Sequence, residues 1–199
     1  MNNQKLRRLT MAALCGAVSF VLMYFSFSVP VLSPFAEFDF SALPGLIGGF
    51  ILGPIGAIEI IVVKLGLKLL FKGSSSLLTG ELINFVLSLS YILPAALYYR
   101  RHKTKKGAVI GLTLGTLISV AASIPANVLL TFPLYIKIYG MNWEGIIEIC
   151  AAVNPWIKSI PTMVAFSIVP FNLISRAVTS LITLLVYKKL STPMKKLIQ

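Results

Sequence analysis

The sequence predicts an all-α integral membrane protein, a single bundle of six transmembrane helices with both termini in the cytoplasm. Hydrophobic residues make up 57% of the 199 residues and charged residues only 12%, whereas a soluble domain is usually about one-quarter charged. Several apolar segments approach or exceed the ~18 residues that indicate a membrane-spanning helix. Basic residues cluster in short segments, which stay on the cytoplasmic side of a membrane.

The net charge of +12 has a distribution that points to the bilayer. Most of the Lys and Arg residues lie in the N-terminal segment 5–8, in the loop 100–106 and after residue 187, whereas all six acidic residues lie elsewhere. Such clusters are drawn to anionic lipid. We therefore expect a lipid partner and no nucleic-acid partner.

The first predicted span, 9–28, follows Lys5, Arg7 and Arg8, so the N-terminus is expected inside the cell. Small residues spaced by four let a second helix approach closely, and this span contains four small residues: Ala12, Ala13, Gly16 and Ala17. Packing inside the bundle and docking of a partner explain them equally well. An outside loop, 29–39, is expected next.

Residues 40–72 decide the number of crossings. Read as one span, they would leave the basic loop 100–106 outside, against the charge rule. The Gly53-Pro54 pair disfavours helix and divides the run into two predicted spans, 41–52 and 55–72. The first is only ~18 Å long, so it must lie within a bundle that shields its ends.

The span 55–72 carries three lysines spaced by four, Lys64, Lys68 and Lys72, which share one face of the helix. Lys64 is too deep to reach the interface, so it should face the interior or a water-filled cavity. The alternative is a buried ion pair with Glu59 or Glu81.

The remaining predicted spans are 80–99, 107–132 and 160–187. Glu81 lies at the start of the fourth span, where a helix dipole favours an acid, and ligand binding is an equal alternative. Asn84 lies one turn further on, and Asn127 follows the helix-disrupting Pro125. In the sixth span Asn172 and Arg176 share a face, and an arginine so far inside a membrane indicates a functional site.

The segment 133–159 between the last two spans is mixed in composition, and we expect it outside. Its aromatic residues fit a cap at the membrane interface. Lys188 and Lys189 follow the sixth span and predict a cytoplasmic C-terminus.

Motifs for common enzyme chemistry are absent from the sequence. It contains no phosphate-binding G-x-x-x-x-G-K-[ST], no H-E-x-x-H and no G-x-S-x-G, and the lone His102 lies in the basic loop. An intramembrane enzyme is therefore disfavoured. A stand-alone channel is also disfavoured, because a channel needs a continuous polar lining and the polar residues here cluster toward one side. Capture of a small polar molecule from outside fits better.

Four segments carry a resemblance to a known family: EFDFSALPGLIGGFILGPIGAIEIIVVK, TGELINFV, ANVLLTFPLY and VPFNLIS. Together they resemble the substrate-binding (S) components of energy-coupling factor transporters, in particular the riboflavin-binding branch, over about residues 9–190. The resemblance implies six helices in the bacterial cell membrane and a vitamin pocket near the outer face. It also implies a coupling subunit and two ATPase subunits as partners. Riboflavin or FMN would be the transported ligand, and no cofactor is implied.

The resemblance also implies which residues act. Those expected at the ligand are Leu43, Pro44, Lys64, Glu81, Asn84, Asn127, Asn172, Ser175 and Arg176. Ala13 and Ala17 match the A-x-x-x-A sequence that docks on the coupling subunit. Two positions depart from the riboflavin branch, because Ser175 stands at a usual lysine and Leu65 at a usual asparagine. Arg176 lies one position on, about 100° around the helix. Pantothenate, whose carboxylate could pair with Arg176 or the lysine stripe, is the alternative ligand.

Overall fold

A computed structural model describes the backbone of residues 3–74 and 78–198, and the side chains of residues 4–74, 78 and 80–190. Within these ranges the chain forms a helical bundle with one short antiparallel strand pair. The elements in chain order are α1 (Asn3–Tyr24), β1 (Phe27–Ser28), β2 (Glu37–Phe38), α2 (Ala42–Lys72), α3 (Thr79–Arg101), α4 (Lys105–Pro125), a first π-helix (Ala126–Thr131), α5 (Phe132–Tyr139), α6 (Trp143–Val153), α7 (Ile160–Met163), a second π-helix (Val164–Ile168) and α8 (Val169–Ile198).

Helix α2 reverses direction at Gly53, which has φ +84° and ψ −175°. Its two halves lie against each other, because a Cβ built on Gly49 would be 3.2 Å from the Cβ of Ala57. The Lys64 ammonium lies 3.5 Å from the Ser41 hydroxyl, although a straight helix would separate these residues by about 34 Å. The break predicted at Gly53-Pro54 is confirmed, and it forms a tight helical hairpin.

Five helices of the described chain are long and apolar enough to cross a membrane: Gln4–Tyr24, Ala42–Lys72, Gly80–Arg101, Lys105–Tyr139 and Ile160–Leu190. The two predicted segments 41–52 and 55–72 together make up the second of these. The fourth of these helices, Lys105–Tyr139, corresponds to the predicted span 107–132 and continues beyond its predicted end. It can do so because Pro133 lies in the first turn of α5, where proline is tolerated.

The core near the Gly53 end joins buried apolar side chains of α2, α3 and α4, and partly buried Leu184 and Tyr187 of α8 pack against them. Phe50 lies 4.4 Å from Tyr99 between ring centroids, and the Tyr99 hydroxyl meets that of Tyr187 on α8. Apolar helix faces and paired tyrosine hydroxyls make this end of the bundle tightly packed.

A second apolar cluster lies at the opposite end of the bundle. There Phe132, Ile146, Cys150 and Met163 are buried against one another, which joins α5, α6 and α7. Phe35, from the loop between β1 and β2, packs on Phe132 with 5.8 Å between ring centroids. This contact holds the loop over the end of the bundle.

Candidate ligand-binding site

A cavity of about 360 Å³ opens at the end of the bundle opposite Gly53. Its walls come from the loop before α2, from the outer parts of α2 and α3, from both π-helical regions, and from α5 and α8. The volume falls at the lower end of the ~300–1,000 Å³ usual for small-molecule sites.

Lys64 forms the centre of a hydrogen-bonded cluster in the cavity wall. Its ammonium donates to the Asn84 side-chain oxygen at 2.9 Å, to the Ser88 hydroxyl at 3.2 Å and to the Ser41 hydroxyl at 3.5 Å. Only 3% of the residue is exposed. Because an ammonium has three donors, these bonds occupy all of them, and Lys64 holds three wall segments together.

Arg176 brings a buried cation to the same cavity, and no ion pair joins it to a described acid. Its guanidinium carbon lies 5.0 Å from the centroid of the Tyr91 ring, and its buried Nε has no hydrogen-bond partner. The ring is fixed, because the Tyr91 hydroxyl donates to the Arg176 carbonyl at 2.9 Å and contacts Ser180 at 2.7 Å. A buried unpaired donor is costly, so a ligand that offers an acceptor here would be stabilised.

Asn127, in the first π-helix, and Asn172, in α8 four residues after the second π-helix ends, both line the cavity. Each donates its amide nitrogen to the carbonyl four residues earlier, Asn127 to Ser123 at 2.7 Å and Asn172 to Ile168 at 2.9 Å. Asn127 lies within the first π-helix, and Ile168 ends the second. Wide turns of this kind are frequent at functional sites. Within the described chain, the amide oxygens remain available to a ligand.

Aromatic and apolar side chains supply much of the remaining wall, among them Phe35, Phe132, Tyr135 and Phe171. Two acids from the loop, Glu37 and Asp39, also line the cavity. The Asp39 carboxylate accepts the backbone N–H of Ser41 at 2.7 Å. The cavity can therefore receive a flat aromatic group and hydrogen-bond to polar atoms at its edge.

Of the residues that the sequence predicts at the ligand, six line this cavity: Lys64, Asn84, Asn127, Asn172, Ser175 and Arg176. Leu43, Pro44 and Glu81 lie outside its lining. The Glu81 carboxylate instead forms an ion pair with Lys68 at 2.7 Å and accepts the Ser74 hydroxyl at 2.7 Å. Lys64 faces the interior as predicted, and the alternative of an ion pair with Glu59 or Glu81 is wrong, because amide and hydroxyl oxygens are its partners.

Sequence reasoning missed several lining residues that a simple spacing could have found. Ser88 lies four residues after Asn84, and Thr131 and Tyr135 lie four and eight residues after Asn127. Residues four apart share a helix face, so each follows from a predicted position. Ser41 has no such signal, because only the reversal at Gly53 brings it to Lys64.

The small residues of α1 divide between two faces. Ala12 is fully buried, and a Cβ built on Gly16 would lie 2.6 Å from the Cβ of Val63. Ala13 is exposed and Ala17 is partly exposed. The internal-packing interpretation therefore applies to Ala12 and Gly16, whereas Ala13 and Ala17 remain open to a partner.

A family model described as the ECF transporter, substrate-specific component, matches residues 7–187. The riboflavin transporter RibU of Staphylococcus aureus is 28% identical over 99% of this chain and 97% of that protein. The riboflavin transporter FmnP of Bacillus subtilis is 28% identical over 94% of this chain and 93% of its own. RibU of Streptococcus thermophilus is 31% identical over 96% of this chain and 86% of its own.

A solved structure shares the fold. It was reported as the structure and mechanism of the S component of a bacterial ECF transporter, and it superposes with a TM-score of 0.72 at 27% identity. The match covers 96% of this chain and 99% of that one. The apolar helices and these matches identify the chain as an integral membrane transport protein and not an enzyme. The chain belongs to the substrate-specific components of energy-coupling factor (ECF) transporters.

Proposed function

We propose that this chain is the riboflavin-binding subunit of an ECF transporter in a bacterial plasma membrane. It takes up the vitamin from outside and works with a coupling subunit and two ATPase subunits. The observation that carries this proposal is the similarity, over 94–99% of this chain, to three proteins named as riboflavin transporters.

The chemistry of the cavity supports a flavin ligand. The isoalloxazine ring of riboflavin has flat apolar faces and a polar edge with carbonyl oxygens. Aromatic walls suit the faces, because offset and edge-to-face ring pairs are favourable. The Arg176 guanidinium, whose Nε lacks a protein partner, suits an edge carbonyl, and the side chains of Asn127 and Asn172 suit further polar atoms. Lys64 positions the wall rather than meeting the ligand directly, because its donors are already used.

The proposed orientation has six crossings, with both termini in the cytoplasm. The hairpin in α2 supplies two antiparallel segments from one helix. The basic residues Arg100 and Arg101 end α3 at the same end of the bundle as Gly53, which suits a cytoplasmic location. The cavity then opens to the outside, where the vitamin is captured.

We further propose that Ala13 and Ala17 dock on the coupling subunit. Both are at least partly exposed, and small residues four apart let a partner helix approach closely. Their neighbours Ala12 and Gly16 are used inside the bundle.

A fluorescence titration of the detergent-purified chain tests the ligand. We expect riboflavin fluorescence to be quenched at a one-to-one ratio, and FMN to compete for the same site. Pantothenate is the second candidate, favoured by the Nε of Arg176, which has no hydrogen-bond partner and to which a carboxylate could bond. Displacement of bound riboflavin by pantothenate would support that ligand. An absence of quenching at any flavin concentration would exclude riboflavin.

A further inference from the structure

Glu59 is an acidic residue on a membrane-spanning helix that the cavity does not use. It lies in the second half of α2, five residues after Pro54 and so about 7.5 Å along the helix. In the described part of the chain, no ion pair or hydrogen bond reaches its carboxylate. Acidic residues within membranes nearly always face a bundle interior or pair with a cation. Glu59 does neither.

The helix surface around Glu59 faces away from the bundle. Ile55 is 66% exposed, Ile58 37% and Val62 53%. Glu59 itself is partly exposed. Its carboxylate therefore lies at the edge of an outward-facing apolar stripe, and no cation among the described side chains pairs with it.

Helix α1 and the second half of α2 run side by side in the same direction. The Arg8 guanidinium donates to the Leu52 carbonyl at 2.9 Å, Gly16 abuts Val63, and the Lys72 ammonium lies 5.6 Å from the centroid of the Tyr24 ring. That bond uses one of the five donors of Arg8, and among the described residues no ion pair joins Arg8 to Glu59.

This register brings Glu59 beside the exposed Ala13. Ala13 lies one turn before Gly16 on α1, and Glu59 lies one turn before Val63 on α2, so the two residues have the same height in the bundle. For two parallel right-handed helices with Gly16 facing Val63, both residues fall on the same side of the groove between the helices. Because the Ala13 side chain is small, the Glu59 carboxylate is accessible from the outer surface of the helix bundle.

We propose that Glu59 binds a lysine or arginine side chain of the coupling subunit when the two proteins meet in the membrane. The inference rests on the proposed function, which supplies the partner, and it adds a charged contact to the Ala13 and Ala17 face. The partner must be cationic, because a carboxylate in this setting is stabilised by an opposite charge. Removing one member of such a pair slows or prevents stable association.

The test uses a tagged chain co-expressed with the coupling subunit and the two ATPases. We expect Glu59→Gln and Glu59→Leu to reduce co-purification of the coupling subunit by at least about 10-fold, the scale for truncating a buried charge pair. Glu59→Asp should retain part of the binding. Riboflavin affinity of the isolated variants should stay within about 2-fold of the original, because Glu59 lies outside the cavity lining.

Glu148→Gln is the matched control, since it neutralises an exposed acid on α6 and should leave co-purification unchanged. Full co-purification with Glu59→Leu would overturn the inference and leave Glu59 as a surface residue only.

Riboflavin titration keeps the ligand proposal and the docking proposal separate. If the original chain binds no flavin but Glu59→Leu still loses the coupling subunit, the ligand proposal fails and the contact stands. The Glu59→Asp variant distinguishes loss of charge from loss of folding, because it keeps the carboxylate.

Discussion

At the scale of single residues, the cavity is defined by polar atoms that the protein leaves available. The side chain of Asn127 uses one donor on the Ser123 carbonyl, and the Nε of Arg176 has no acceptor. Lys64, by contrast, is fully bonded. Asn127 and Arg176, which have polar atoms available to a ligand, should control affinity. Lys64, whose donors are all used within the protein, should control the shape of the cavity wall.

Asn127→Ala should weaken riboflavin binding by ~1–3 kcal/mol, because a polar edge of the ligand would then be buried without a partner. Fluorescence titration measures the change. Ser123→Ala is the matched control, since the Ser123 side chain bonds to the Val120 carbonyl and lies outside the cavity lining. Equal affinities for Asn127→Ala and the original chain would mean that the ligand lies elsewhere.

Cys150, on α6, should resist alkylation in the folded protein. Burial raises the pKa of the Cys150 thiol to about 11, and the thiolate is the reactive form. In a Cys15→Ser background, maleimide labelling near neutral pH should be slow when folded and fast after unfolding in detergent. Labelling of the folded chain should rise only as the pH approaches 11. A rate typical of a free thiol would contradict the buried position of α6.

At the scale of elements, the reversal in α2 depends on one backbone conformation. The φ and ψ of Gly53 lie in a region that is essentially restricted to glycine, and other residues there cost of order 1–3 kcal/mol. The close approach of Gly49 and Ala57 then lets the two halves pack without a gap.

Gly53→Ala should therefore lower the thermal unfolding temperature of the purified chain. Gly66→Ala provides the comparison on the same helix, because Gly66 has no positive φ and a Cβ added there would meet no atom within 4 Å. Alanine should stabilise that helical position by roughly 0.5–1 kcal/mol. Similar effects of the two substitutions would argue against the strained reversal.

Ala13→Trp should block vitamin uptake while leaving riboflavin affinity unchanged. The large side chain would prevent close approach of a partner helix, and Ala13 lies outside the cavity lining. Uptake by cells and flavin titration measure the two effects. Leu117→Trp, at a position 56% exposed on α4, is the control. Normal uptake by Ala13→Trp would exclude this face as the docking surface.

At the scale of the whole molecule, we expect the distribution of charge to set the direction in which the bundle is inserted. Single cysteines at Lys103 and Glu144, in a background with Cys15 and Cys150 changed to serine, report this direction. We expect an impermeant maleimide to label Glu144→Cys in intact cells and to label Lys103→Cys only after lysis. Both positions are exposed, so access to the reagent depends on the side of the membrane. The reverse pattern would place the cavity inside the cell.

The features predicted correctly from the sequence are those encoded locally. Apolar runs predicted the helices, and Gly53-Pro54 predicted the break, because backbone preferences act on adjacent residues. Spacing by four predicted that Asn172 and Arg176 share a face. These properties need no knowledge of which helix lies beside which.

Tertiary structure alone decided which polar side chains meet. From the sequence, Glu59 and Glu81 were both possible ion-pair partners of Lys64. In the structure Lys64 bonds to Asn84 and Ser88 instead, and Glu81 pairs with Lys68. Contacts between helices depend on how each helix is rotated and shifted against its neighbours, which periodicity within one helix does not specify. The sequence by itself thus determined a membrane bundle with polar residues toward one end, and the packing of the helices decided which of them form the cavity.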